Sequence, residues 1–507
     1  MTSFLAIIKL TCRSAIRSNV FRTLLFLLLL CVLLVPNTIK GDGTAMGFIQ
    51  LILEYSLGFI AVILSISAAW CACSEIASDV ETGQIHLIAV KPVSRITILL
   101  GKTCGVLLIH GFLLILSAVA VYIFVQIQFN KQDFPPEEKQ RVINEVLCGR
   151  RLYKPERPDL DLLVQQDIEM RMERASESER NELTAKLNGE DRRELVEGMK
   201  KEIAGKLGEV APGEAIFWEY KGIPEGVVTP FYMRFKVFPS DSTNLNESTT
   251  HGAWILRLVT APPAQGGPEA NGQEPKPEDY LEQMYPLPPE EIITAARNEF
   301  GIQETVARIN GAPIEVLENM PRELLQDLTL PLVHEGTLRI GFYNFDRTNQ
   351  TLKFQEADGP YLLVRETGFL NNYVRMILVI YLGIIAVTLV AAALAAFLTL
   401  PTAIFMTASY GLICICATYL LKTLKDSSGP TMDASEMIGK VLSQGMQYIL
   451  IPIQDFFLTS HLATGQLLEF STIGELVLYN LVLRGLPLFL LGTYLYWRRE
   501  LALAMKR

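Results

Sequence analysis

Charge is missing from three long stretches of this chain. None falls between Tyr55 and Ser74, none apart from His110 between Thr103 and Asn130, and none between Met376 and Leu421. These runs are twenty, twenty-eight and forty-six residues long. About twenty apolar residues, rising ~1.5 Å each, cross the roughly 30 Å hydrocarbon core of a bilayer. The first two runs are therefore expected to form single membrane spans. The third is long enough for two, with the turn at Thr399-Leu400-Pro401. With 50% hydrophobic residues in 507 and a mean hydropathy of +0.27, this is the composition of a membrane protein with a sizeable soluble part.

Several catalytic signatures are also absent. Gly101-Lys102-Thr103 has the tail of a nucleotide-binding phosphate loop, but position 96 is Ile, so the glycine-rich cradle is missing and the chain cannot bind ATP by that means. There is no His-Glu-x-x-His, and the five histidines (86, 110, 251, 334, 461) are scattered, which argues against a metalloprotease and for no metal site. A Gly-x-Ser-x-Gly elbow is lacking too. Disulfide potential is low: of eight cysteines only Cys148 lies in the stretch 129–371, so that segment must rest on a core. The Cys-x-Cys pairs Cys71/Cys73 and Cys414/Cys416 sit in apolar runs and read as helix packing rather than metal ligands.

The charge that is present is divided unevenly. Lys131 to Glu366 holds 28 basic and 42 acidic residues, a net of −14; the remainder has 17 and 12, a net of +5. Basic membrane flanks around an acidic insert place the insert away from the cytoplasm and argue against nucleic acid as a partner. The first 22 residues carry Lys9, Arg13, Arg17 and Arg22 and no acid. Lys9, Arg13 and Arg17 form a basic stripe opposite Phe4, Leu5, Ile8 and Ile16, the pattern of a helix lying on an anionic inner leaflet. The competing reading is a signal peptide, with Leu24–Val35 as its apolar region, but no small-x-small cleavage site stands out.

Within the insert, Pro135–Leu207 reads as several helices whose charge runs, such as RMERASESER, are solvated faces. From Gly226 onward strands are expected at 231–238, 253–259, 337–345, 352–354 and 361–366, where β-branched and aromatic residues alternate or cluster. Ala261–Pro289, with eight prolines, reads as an irregular linker. The fold class expected is thus predominantly α, a six-helix membrane unit carrying a mixed α+β extracytoplasmic domain: a helical part followed by a small β-sandwich.

The only strongly charged segment between two apolar runs is Ser74 to Lys102. Glu75 and Asp79 are one helical turn apart, and Ile76 and Val80 repeat that spacing on a neighbouring face. Gly83 interrupts the helix and Pro92 stops the apolar run that follows; Ser94 is placed to cap the next span. Such periodicity in a loop implies something packed on it. An acidic helix with Glu81 and Gly83, then Leu87, Lys91, Pro92, Ser94 and Arg95, then Leu100, Gly101 and Lys102 opening a span, resembles the ABC-2 type transporter permease family. The likeness is nearest to the branch containing the permease for copper-site maturation of nitrous oxide reductase, and it covers residues 1–130 and 372–507.

The resemblance implies a coupling helix at 74–95 that docks on a separate ATPase subunit, through Glu75, Ile76, Asp79, Val80, Glu81, Gly83, Leu87, Lys91, Pro92, Ser94, Arg95, Gly101 and Lys102. ATP and Mg would bind that ATPase and no cofactor this chain, which is not itself an enzyme. A second permease copy or a paralogue completes a dimer in the cell (inner) membrane. Both termini are then cytoplasmic. Residues 1–128 hold the amphipathic helix and spans one to three, 129–371 the extracytoplasmic domain, and 372–507 spans four to six with a re-entrant or interfacial segment at about 444–463. The function implied is ATP-driven movement of a substrate, export being the expected direction. The alternative is a mechanotransmitting permease that drives its external domain and transports nothing. Three charges are expected at membrane depth: Arg484 in span six, either paired with Glu54 or Asp455 or snorkelling to the interface.

Overall fold

The computed structural model describes residues 2–38, 43–81, 93–131, 134–174, 192–224, 231–239, 248–260, 281–286, 290–294, 303–307, 336–345, 350–354, 359–426 and 450–498, with a few single positions between 176 and 187 and at 445. The chain divides into two compact units, 1–150 with 366–507, and 151–365.

In hydrocarbon every backbone N–H needs a partner within its own segment, so the uncharged runs become helices. The described helices of the first unit are α1 (Thr2–Arg17), α2 (Asn19–Thr38), α3 (Ala45–Glu81), α4 (Arg95–Lys131), α5 (Pro136–Glu145, which is charged), α8 (Phe369–Ala395), α9 (Leu400–Asp426), the short α10 (Thr459–Ala463) and α11 (Phe470–Arg498); α6 and α7 belong to the second unit. Among the described residues five helices are long and apolar enough to cross a membrane: α3 over Ala45–Ala77, α4, α8, α9 over Leu400–Ala417, and α11. Ser3–Arg17 and Asn19–Val32 qualify only as a pair and are bent by 71° at their junction. The α8–α9 turn occupies 396–399 and meets the expected Thr399-Leu400-Pro401 only at Thr399; Leu400 and Pro401 open α9, and Thr399 and Thr402 share a hydroxyl hydrogen bond of 2.8 Å.

Membrane helices gain little from apolar burial against each other, so close contact through small residues does the packing. A Cβ on Gly111 would come within 2.9 Å of the Tyr381 ring, and one on Gly492 within 2.5 Å of Ala393 Cα. α1 is seated the same way: a Cβ on Gly101 would meet Ile7 at 2.8 Å, and one on Gly105 would meet Thr11 at 2.8 Å. The buried stripe of α1 is Ile7, Thr11 and Ala15, whereas Leu5 and Ile16 of the expected apolar face are exposed. The basic residues Lys9, Arg13 and Arg17 are exposed as expected.

The expected apolar segment at 447–461 is not one helix. After Pro452 come a single 3-10 turn (Ile453–Phe456) and then α10. Phe456 sits against Gly383, where a Cβ would lie 2.9 Å from its own Cβ. Residues 464–468 are clamped by buried polar groups. Arg150 Nη2 donates to the Thr464 carbonyl at 2.7 Å, Asn372 Nδ2 to Gln466 at 2.9 Å, and Leu468 N–H to Asn372 Oδ1 at 3.0 Å. Gly465 takes φ +66° with a Cβ position only 2.0 Å from the Glu145 carbonyl oxygen, so no other residue fits there.

Among the described residues the second unit holds two helices and three antiparallel sheets. α6 (Leu160–Arg174) and α7 (Arg192–Lys206) are joined by Lys200–Asp161 at 2.5 Å and Arg171–Glu202 at 3.2 Å. The strands are β1 (Cys148–Tyr153), β2 (Glu209–Val210), β3 (Ala215–Lys221), β4 (Phe231–Phe235), β5 (Val237–Pro239), β6 (Ser248–Thr260), β7 (Leu281–Pro286), β8 (Glu290–Thr294), β9 (Gln303–Ala307), β10 (Thr337–Asn344), β11 (Leu352–Phe354) and β12 (Tyr361–Gly368). Sheet orders are β1-β12-β4-β9, β3-β10-β6-β7 with β8 also on β6, and β2-β11-β5.

Four of the five expected strand segments are strands; the fifth, 231–238, breaks at Lys236 into β4 and β5, which pair in different sheets. Two further expectations are corrected. Cys148–Tyr153, within the stretch read as helical, is a strand, and Leu281–Pro286, within the proline-rich linker, pairs antiparallel with β6. Proline is tolerated at the end of a strand, where no ladder donor is needed. The core is aromatic: Trp254, 1% exposed, makes edge contacts with Phe235 and Phe342 at ring distances of 5.0 and 5.1 Å.

Candidate functional site

α3 runs to Glu81 and α4 begins at Arg95, so the pair brackets the segment singled out in the sequence. Gly83, Leu87, Lys91 and Pro92 lie outside the described residues. Asp79, Val80 and Glu81 are in the last turn of α3, without described side chains. The roots of the segment are firmly held. Ser94 caps α4 as expected: its Oγ accepts the Thr97 N–H at 3.2 Å and shares a 2.7 Å bond with the Thr97 hydroxyl. Lys102, 5% exposed, donates from Nζ to the Glu75 carbonyl, tying α4 to α3. Arg95 Nη1 donates to the Trp497 carbonyl at 2.9 Å, in the last turn of α11, where carbonyls lack intrahelical donors.

Three residues expected to serve the partner contact, Ile76, Gly101 and the Lys102 just described, are occupied inside the chain. Ile76 is 2% exposed and belongs to the core of the first unit. Gly101 is the notch for Ile7. Glu75 is half-buried. Among the described residues at the start of α4, Ser94, Ile96 and Leu100 are exposed and Arg95 is half-buried.

A second cluster joins the 3-10 turn Ile453–Phe456 to α11. Arg484 Nη1 donates to Asn480 Oδ1 at 2.6 Å, and Asn480 Nδ2 donates to Asp455 Oδ2 at 3.3 Å. Arg484 thus reaches a carboxylate only through an amide. Among the described residues no ion pair joins Arg484 to Glu54 or to Asp455, and Glu54 is half-buried in α3. Sequence reasoning weighed only carboxylates as partners and missed Asn480, although its spacing of four from Arg484 on one helix was legible. Leu476–Gly485, which carries both, is π-helical.

Close by, Tyr410 OH accepts the Ile451 N–H at 2.9 Å, and Gln454 Nε2 donates to Ile415 at 3.5 Å. A cavity of about 20 Å³, room for one water, is bounded by Val387, Thr407, Tyr410 and Ile451. Elsewhere in the spans His110 is fully buried. Its Nδ1 is 2.8 Å from the Val106 carbonyl oxygen and its Nε2 is 3.0 Å from Ser67 Oγ, so one ring nitrogen donates, the other accepts, and both are satisfied.

Among the described residues no group of three His, Cys, Asp or Glu side chains is placed to hold a metal ion. No family model, curated protein or solved structure matches the chain.

Proposed function

We propose that this chain is the membrane-spanning permease subunit of an ATP-driven transporter of the ABC-2 type, working with a separate ATPase subunit and a second permease chain. Six spans, a cytoplasmic Ser74–Lys102 segment and an external α+β domain whose strands form a small β-sandwich belong to this reading. The observation that carries it is the acidic, motif-bearing segment between α3 and α4, together with the way its two roots are held. Capping at Ser94 and the Lys102–Glu75 tie make α3 and α4 respond together to any push on the segment between them. Arg95 extends the connection to the end of α11. The missing phosphate loop assigns hydrolysis to another chain.

Val80 and Glu81 test the proposal. Rim charges tune encounter and buried apolar anchors hold a complex. Val80→Asp is expected to abolish co-purification of the ATPase, and Glu81→Lys to weaken it in a salt-dependent way, with the permease still folded and inserted. ATPase binding and turnover unchanged in both variants would overturn the assignment. The mechanotransmitting alternative is favoured by one feature: β12 ends at Gly368 and α8 begins at Phe369, with no linker between strand and span. A purified complex with ATPase turnover, no transport, and a response of the 151–365 unit to ATP would select it.

A further inference from the structure

The Asp455–Asn480–Arg484 cluster leaves opposite charges uncovered at the wrong depth for lipid. Phe456, next to Asp455, seats on Gly383, the fifteenth of the twenty-seven residues of α8. Arg484 is the fifteenth of the twenty-nine residues of α11. Both charges therefore belong to the middle of the apolar layer. Asp455 is nevertheless exposed on the single chain and Arg484 only half-buried. Among the described residues each makes one side-chain hydrogen bond, both to Asn480. Charges facing hydrocarbon are costly and are found against protein or water. Phospholipid headgroups sit at the interface, roughly 15 Å away in a layer about 30 Å thick, and cannot supply the missing partners.

We infer that a second copy of this chain covers this face, with Asp455 of each copy paired to Arg484 of the other across a two-fold axis along the membrane normal. The geometry is self-complementary. Asp455 and Arg484 flank one asparagine at a common depth. A half-turn about an axis perpendicular to the membrane keeps depth and exchanges left for right, which sets each carboxylate opposite a guanidinium. Arg484 has spare donors for such a contact, and Asp455 has a spare oxygen. The inference rests on reading α8, α9 and α11 as membrane spans, and not on an ATPase.

The test uses two differently tagged full-length copies co-expressed in membranes, with one tag captured and the other quantified. Asp455→Arg in both copies places like charges together, as does Arg484→Asp in both. Each is expected to reduce co-capture about tenfold. An Asp455→Arg copy expressed with an Arg484→Asp copy restores opposite charges at both contacts and should recover most of the wild-type signal. Rescue only when both reversals share one chain would show that the cluster closes within a chain, and would overturn the inference. Single reversals that co-capture like wild type would overturn it too. If a reversal leaves no folded protein, Asp455→Cys on one copy and Arg484→Cys on the other decide the matter. An oxidant-induced dimer above the level given by the native cysteines supports the contact, and its absence overturns it. Because no ATPase enters this assay, its failure leaves the permease assignment to the Val80 and Glu81 variants.

Discussion

Ile7 of α1 occupies the space that a side chain on Gly101 would need: a Cβ added there would stand 2.8 Å from Ile7 Cγ2. One turn on, Gly105 makes the same room for Thr11, so Gly101-x-x-x-Gly105 is a groove for the N-terminal helix. Gly101→Leu should then separate α1 from α4 at a cost of about 1–3 kcal/mol, as overpacking typically does. Thermal unfolding of the purified protein checks this. Adding Ile7→Ala to Gly101→Leu should return part of the loss, because the two positions share one contact. Strict additivity of the two changes would disprove the groove.

Cys148 is fully buried, and its thiol donates to the Asn144 carbonyl at 2.9 Å. A membrane-impermeant maleimide should leave it unmodified in the folded protein. Leu162, 51% exposed on α6, offers an accessible site in the second unit. In the proposed topology Leu162→Cys is labelled from outside intact cells (spheroplasts where an outer envelope intervenes). Labelling that needs lysis would put the 151–365 unit in the cytoplasm and refute the orientation.

Glu202 on α7 bonds Lys206 at 2.9 Å and Arg171 of α6 at 3.2 Å. Lys206, and next Arg171, hold its carboxyl below the ordinary glutamate range. A carboxyl with a depressed folded pKa adds stability above its unfolded pKa and loses it as pH falls through the folded value. Acidification should therefore weaken the α6–α7 pair. The effect should shrink at high salt, since these groups are solvent-exposed. Comparing the acid dependence of the unfolding midpoint with that of Glu202→Gln measures the contribution; identical profiles would show it to be negligible.

Long-period features were readable in advance. The apolar helices α3, α4, α8, α9 and α11, the Ser94 cap and the strand at 337–344 follow from charge-free length, capping residues and alternation, each a local property of the chain. What failed needed knowledge of neighbours. Ile76 and Val80 share a helical spacing that marks an apolar face without saying which partner covers it; for Ile76 the cover is the chain's own core. CGRRLY lies in the stretch 135–207 expected to be helical. Yet the Arg150 N–H bonds the Gly465 carbonyl and the Arg150 carbonyl accepts from Leu467 N–H, both at 2.7 Å, and that pairing decides its conformation. Arg484 was expected to seek a carboxylate or the interface, whereas an amide four residues away met it first.

The π-helical stretch of α11 has a mechanical side. Its i→i+5 bonding holds one more residue per closed ring than the α-helix that follows. Were Leu476–Gly485 to rewind into α-form, every residue beyond Gly485 would turn by about 100° about the helix axis, the angle of one residue in 3.6 per turn. Trp497, whose carbonyl Arg95 grips at the start of α4, lies in the part that would turn. A one-residue slip beside Asn480 and Arg484 would thus be felt, as rotation rather than displacement, at the root of the segment between α3 and α4.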